Sequence, residues 1–72
     1  MISMEKRSGF SIKELKIGQT IIGYDRLCLR KDVQGKIAEI DEWAKAVWID
    51  TPDGLVWIKV SDISAMILEI GE

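Results

Sequence analysis

Few side chains in this 72-residue chain could do chemistry. They are a lone cysteine, Cys28; an adjacent acid pair, Asp41 and Glu42; a basic run of Arg26, Arg30, Lys31 and Lys36 beside Tyr24; and three indoles, Trp43, Trp48 and Trp57. There is no histidine, which removes the usual general base near neutral pH and the commonest zinc ligand. Ser-His-Asp, Cys-His and mixed Cys/His metal sites therefore cannot be built from one chain. Cys28 lies in the apolar stretch Leu27-Cys28-Leu29, where a free thiol is expected to pack as a small buried hydrophobe with nothing beside it to activate it. Asp41 and Glu42 are neighbours in a polar loop and lack the cleft that would separate their pKa values for acid and base roles. No pair of glycines brackets a Lys-Ser/Thr at the spacing of a phosphate loop. The expectation is a protein with no catalytic residues, no metal and no cofactor, and so not an enzyme.

Two kinds of binding remain. Basic groups hold phosphates and aromatics stack bases, so Tyr24, Arg26, Arg30, Lys31 and Lys36 form a candidate nucleic-acid or ribosome contact. Against it stands the charge balance: 10 Lys and Arg against 12 Asp and Glu, with a pI of about 5.1. Residues 1–36 carry eight basic against four acidic side chains and residues 37–72 carry two against eight; in a compact barrel the halves interleave and their fields offset each other. The other candidate is apolar. Tryptophan is enriched at binding hot spots, and an indole left outside on a rigid sheet is an anchor for a partner.

The elements that carry these residues read as β-structure. With 47% apolar and 31% charged residues the chain is too hydrophobic for disorder, and no apolar run approaches the ~18 residues of a membrane helix. The expectation is a soluble, folded protein with no membrane role. One cysteine makes no internal disulfide, and with no signal peptide at the start the expected location is the cytoplasm. Residues 1–9 read as a flexible tail in which Met4 could be an alternative start, and residues 10–72 as one domain. Ser11 with Glu14 fits a capping box around a single helical turn that Gly18 stops. Strands are expected over one bent stretch made of Thr20–Tyr24 and Arg26–Arg30, then at Gly35–Ile40, Ala44–Asp50, Leu55–Val60 and Ala65–Ile70, with a charged turn at Lys31-Asp32 and a bulge or bend at Gly23. A 3-10 turn at Ser61-Asp62-Ile63 precedes the last strand. Thr51-Pro52-Asp53-Gly54 between two apolar runs is a hairpin turn, because proline presets φ for a type I turn and glycine accepts the left-handed conformation. The fold class is all-β: a small, strongly bent barrel of about five antiparallel strands.

Side-chain alternation then places the indoles. In Leu55-Val56-Trp57-Ile58-Lys59-Val60 a charged Lys59 does not point into so small a core, so Val56, Ile58 and Val60 face inward and Leu55, Trp57 and Lys59 outward. A three-residue loop, Pro52 to Gly54, would put Ile49 opposite Trp57 and Val47 opposite Lys59; a four-residue loop would put Trp48 opposite Trp57. The Pro-Asp-Gly pattern favours the first. Either register leaves an apolar outer patch on Trp57 and Leu55, unless another part of the chain folds over it. Trp43, at a loop tip, would either anchor a partner or fold back as a lid.

The run Leu15-Lys16-Ile17-Gly18-Gln19-Thr20-Ile21, then Gly35-Lys36-Ile37 with Ile40, Ala46-Val47-Trp48-Ile49-Asp50, Val56-Trp57-Ile58 and Val60-Ser61-Asp62-Ile63, is similar to SH3-like barrels of the KOW and Tudor kind, over residues 12–70. The resemblance implies the fold more than a function, since that superfold serves RNA and ribosome contact, peptide recognition and occasional catalysis. The strand Val56-Trp57-Ile58-Lys59 also resembles the Val-Gln-Ile-Tyr pore strand of the type II dihydrofolate reductases, matching its two apolar positions while Trp57 and Lys59 replace its ligand contacts. The expected function is a small binding module that engages a protein partner, or its own copy as a homo-oligomer, through Trp57, Lys59, Leu55, Trp48 and Trp43. A domain this small without catalytic residues also fits an accessory protein of a phage or mobile element.

Overall fold

The computed structural model describes residues 2–69. Six strands form one antiparallel sheet: β1 (Ile2–Lys6), β2 (Thr20–Asp25), β3 (Arg30–Asp41), β4 (Ala46–Thr51), β5 (Gly54–Lys59) and β6 (Ile63–Glu69), in the spatial order β1-β6-β2-β3-β4-β5. The expected all-β architecture is therefore present, with six strands rather than five. The sheet is open, with β1 and β5 as its edges among the described residues.

Strong bending lets one small sheet enclose a core. β3 is long enough to serve two neighbours, pairing with β2 through Arg30–Lys36 and with β4 through Lys36–Asp41, and its register shifts between Ile37 and Glu39. β2 carries shifts at Gly23 against both β3 and β6, so the expected bend at this glycine is present. Such bulges increase local twist and turn the strand. The curl brings β2 across the core onto β5: a Cβ added at Gly23 would lie 2.7 Å from Ile58 Cγ2. Only glycine permits that approach.

The enclosed space is filled by Ile21, Ile37, Val47, Ile49 and Ile58, all fully buried, with Phe10, Leu15, Val56, Val60, Ile63 and Met66 around them. Each such side chain contributes roughly 1.5–3 kcal/mol of transfer free energy. The single turn after the first strand is a 3-10 turn, Ile12–Glu14, closed by the expected capping box: the Ser11 hydroxyl accepts from Lys13 N, and Glu14 accepts from Ser11 N at 2.7 Å. The turn before β6 spans Val60–Asp62.

Four expectations are corrected. Residues 2–6 do not trail as a flexible tail; they pair with β6 from Ile2↔Glu69 to Lys6↔Ala65. Arg26–Leu29 is a turn rather than a strand, and Lys31-Asp32, expected as a turn, lies inside β3. Cys28 is exposed, not buried, because it sits in that turn. The physical reason for the exchange is Asp25, whose carboxylate captures the amides of the next residues and stops β2. Ile70, the expected end of the last strand, lies outside the described residues.

Candidate functional site: the outer face of the β4–β5 hairpin

The hairpin turn decides what this face presents. Thr51 pairs with Gly54, so the loop between them is Pro52-Asp53. The Thr51 hydroxyl donates to Gly54 O at 2.8 Å and accepts from Asp53 N at 3.2 Å, and Gly54 takes φ 109°. These bonds hold Thr51 in the ladder and move the register one residue from the favoured three-residue loop. Ile49 therefore faces Val56, and Val47 faces Ile58, rather than Trp57 and Lys59; Trp48 stands opposite Trp57.

Alternation then divides the hairpin. Val47, Ile49, Val56 and Ile58 enter the core. The outer face carries three cross-strand rows: Glu39, Trp48 and Trp57; Lys36, Asp50 and Leu55; Asp41, Ala46 and Lys59. As expected, Lys59 and Trp57 face away from the core, yet both indoles are half-buried rather than free. Their covering comes from each other and from the β2–β3 turn: Asp25, Leu27, Cys28 and Arg30 line one shallow cleft of about 250 Å³ with Trp48, Leu55 and Trp57. Around it Leu55 is 58% exposed, Leu27 70% and Leu29, on the same turn, 74%.

That turn is pinned from below. Asp25 is only 2% exposed; its Oδ1 accepts from Leu27 N at 3.1 Å and Cys28 N at 3.2 Å, and its Oδ2 from Arg30 Nη2 at 3.2 Å. Burial pushes the Asp25 carboxyl up, but the bonds from Cys28, Arg30 and Leu27 outweigh it, so it lies below the usual carboxylate range. Arg30 reaches on to Asp53 at 3.4 Å, tying the β2–β3 turn to the tip of the hairpin. Leu29 holds φ 55°, a left-handed conformation that costs a branched residue roughly 1–2 kcal/mol. An exposed leucine is thus held in a conformation that glycine would favour.

The other sequence candidates are dispersed. Trp43 is 97% exposed, so it does not fold back as a lid; it sits in the β3–β4 turn, at the opposite end of the hairpin from Pro52-Asp53. Of the nucleic-acid set, Arg26 is paired with Asp62 at 2.7 Å and 3.0 Å, Arg30 with Asp25 and Asp53, and Tyr24 is half-buried. Lys31 and Lys36 are exposed, and the register shift that β3 makes against β2 between them leaves both on the outer side of the strand. Of the run's four cations, Arg26 and Arg30 are thus engaged by acids, so the run does not present four free charges. Lys59 also borders a second groove, of about 430 Å³, with Phe10, Ile12 and Lys45.

Sequence reasoning missed Leu27, Leu29 and the clamp made by Asp25 and Arg30. The signal was an Asp two residues ahead of an exposed amide, which is the pattern of an Asx turn. Among the described residues no cluster of three His, Cys, Asp or Glu side chains could hold a metal ion, and no helix is long and apolar enough to cross a membrane. Compared with family models, curated proteins and solved structures, the chain finds no match.

Proposed function

We propose that this protein is a non-enzymatic binding module that engages a protein partner through the outer face of the β4–β5 hairpin. One observation carries the reading: two exposed leucines, Leu27 and Leu55, line one cleft with a cross-strand indole pair on a hydrogen-bonded frame. Apolar surface held in place costs little ordering entropy on binding. Removing ~200 Å² of it from water is worth on the order of 5 kcal/mol before association costs. A standard interface takes ~800 Å² from each partner, about one sixth of the 4953 Å² this chain exposes.

The test uses the chain as bait in extract from its host, beside a Leu27→Ser, Leu55→Ser variant. Both residues are exposed, so the variant keeps its fold, which circular dichroism checks. Proteins held by the parent and lost by the variant are the expected result. The same proteins retained in the same amounts by both would overturn the reading.

A further inference from the structure

We infer that β5 is the seam of a two-fold symmetric dimer, in which the β5 strands of two copies pair antiparallel with Leu55 opposite Trp57 of the partner subunit. This rests on the binding role proposed for the hairpin face and names its occupant as a second copy of the chain.

The backbone of β5 is in the right phase. A two-residue turn makes Thr51 and Gly54 a hydrogen-bonded pair, so the even-numbered residues of β5 exchange bonds with β4. Val60 N donates to Lys45 O at 2.9 Å in that same phase. The N–H and C=O groups of Leu55, Trp57 and Lys59 therefore point away from β4. No strand among the described residues lies beyond them in the sheet.

The composition of this edge invites pairing. Proteins that keep an edge strand apart place charges, prolines or bulges on it. The opposite edge, β1, does so with Glu5 and Lys6, followed by Arg7. By contrast, β5 runs through six pairs with β4 without a register shift, and Leu55-Val56-Trp57-Ile58 carries no charge.

Parity and charge select the register. Edge-facing groups belong to odd-numbered residues, so two β5 strands can meet with Leu55 opposite the partner's Trp57, or with Trp57 opposite its own symmetry mate. The first arrangement brings the partner's Lys59 to the end of β5 where Asp53 stands in the adjoining turn, also 3.4 Å from Arg30, and symmetry repeats that approach. The Lys59 side chain makes no cap bond to the following 3-10 turn and belongs to none of the ion pairs among the described residues. The surface is thus self-complementary in charge as well as in backbone bonding, which is what an isologous contact requires. The pairing also places Leu55 and Trp57 of each copy beside those of the other.

Sedimentation equilibrium of the purified full chain tests this. A dimer is expected, with the amides of Leu55 and Trp57 protected from hydrogen exchange at high concentration and exchanging freely on dilution. Leu55→Pro removes an edge-facing donor together with the leucine side chain that meets the partner's Trp57, and should raise the dissociation constant tenfold or more, with folding checked by circular dichroism. Lys59→Glu should weaken the dimer about tenfold, and Asp53→Lys added to it should restore the parent value within about threefold. A chain monomeric at every concentration up to millimolar would overturn the dimer. So would Leu55 and Trp57 amides equally exposed at all concentrations, or charge reversals without mutual rescue. A monomer whose bait still loses host proteins on the Leu27→Ser, Leu55→Ser change removes this dimer and leaves the binding role standing.

Discussion

Replacing Asp25 separates the charge of the buried carboxylate from its geometry. In Asp25→Asn the side-chain carbonyl still accepts from Leu27 N and Cys28 N, but the ionised oxygen facing Arg30 at 3.2 Å is gone. A charge-assisted bond contributes roughly 1.5–3 kcal/mol. Solvent at the exposed Arg30 head screens it, so the exchange should cost about 2 kcal/mol. Asp25→Ala also leaves two amides without their acceptor, at roughly 1 kcal/mol each or more, for a total of about 4 kcal/mol. At ~4–8 °C per kcal/mol for a domain of this size, melting should fall by roughly 8–16 °C in Asp25→Asn and further in Asp25→Ala. The pH dependence has a definite sign. The folded-state pKa of Asp25 is depressed below the unfolded value of ~3.9, so its stabilisation is complete above that value and is lost as pH falls through the folded pKa. Glu14, lowered by its bond from Ser11 N and by Arg7 against the opposing effect of burial, acts in the same direction. The parent's melting temperature should therefore drop steeply below about pH 4. Asp25→Asn should drop less and converge on the parent as pH falls through the folded Asp25 pKa, keeping the slope due to Glu14. Tryptophan fluorescence followed on heating, from pH 2 to 7, measures both effects. A variant that melts within about 2 °C of the parent at pH 7, with an unchanged acid slope, would refute the assignment of Asp25 as the clamp of the β2–β3 turn.

Two further outcomes test the face and the frame. In a double-mutant cycle, Trp48→Ala and Trp57→Ala should couple by about 0.5–1.5 kcal/mol in urea unfolding, because the indoles stand directly opposite; costs that add within ~0.3 kcal/mol would place the rings out of contact. Gly35→Ala puts a Cβ 2.6 Å from Asp50 O and 3.0 Å from Thr51 Cγ2, so β3 and β4 must part and the urea midpoint should fall by the equivalent of about 1–3 kcal/mol; an unchanged midpoint contradicts that close approach.

Much of the site was readable because it depends on neighbours in the chain. A charged Lys59 two residues from Trp57 separates the faces of β5 whatever the rest of the fold does, and Val56 and Ile58 are buried accordingly. The capping residues Ser11 and Glu14 and the turn formers Pro52 and Gly54 act over three or four positions, so their elements could be placed without tertiary knowledge. Trp48 could not. Its place opposite Trp57 depends on one register step, which the Thr51 hydroxyl decides by bonding within the turn.

An all-β chain, the inner and outer faces of β5, the two short helical turns and the central hairpin all follow from local pattern, because periodicity and turn chemistry act between near neighbours. Long-range contacts were needed to make residues 2–6 an edge strand, to make Arg26–Leu29 a turn holding two leucines toward solvent, and to leave β5 at the other edge of the described sheet. Each of those outcomes requires a partner remote in the chain or a side chain bonding back to the backbone: β6 for β1, Asp25 with Arg30 for the turn, and the curl of the sheet for β5. Such free energies come from contacts between distant residues, and no local pattern encodes them.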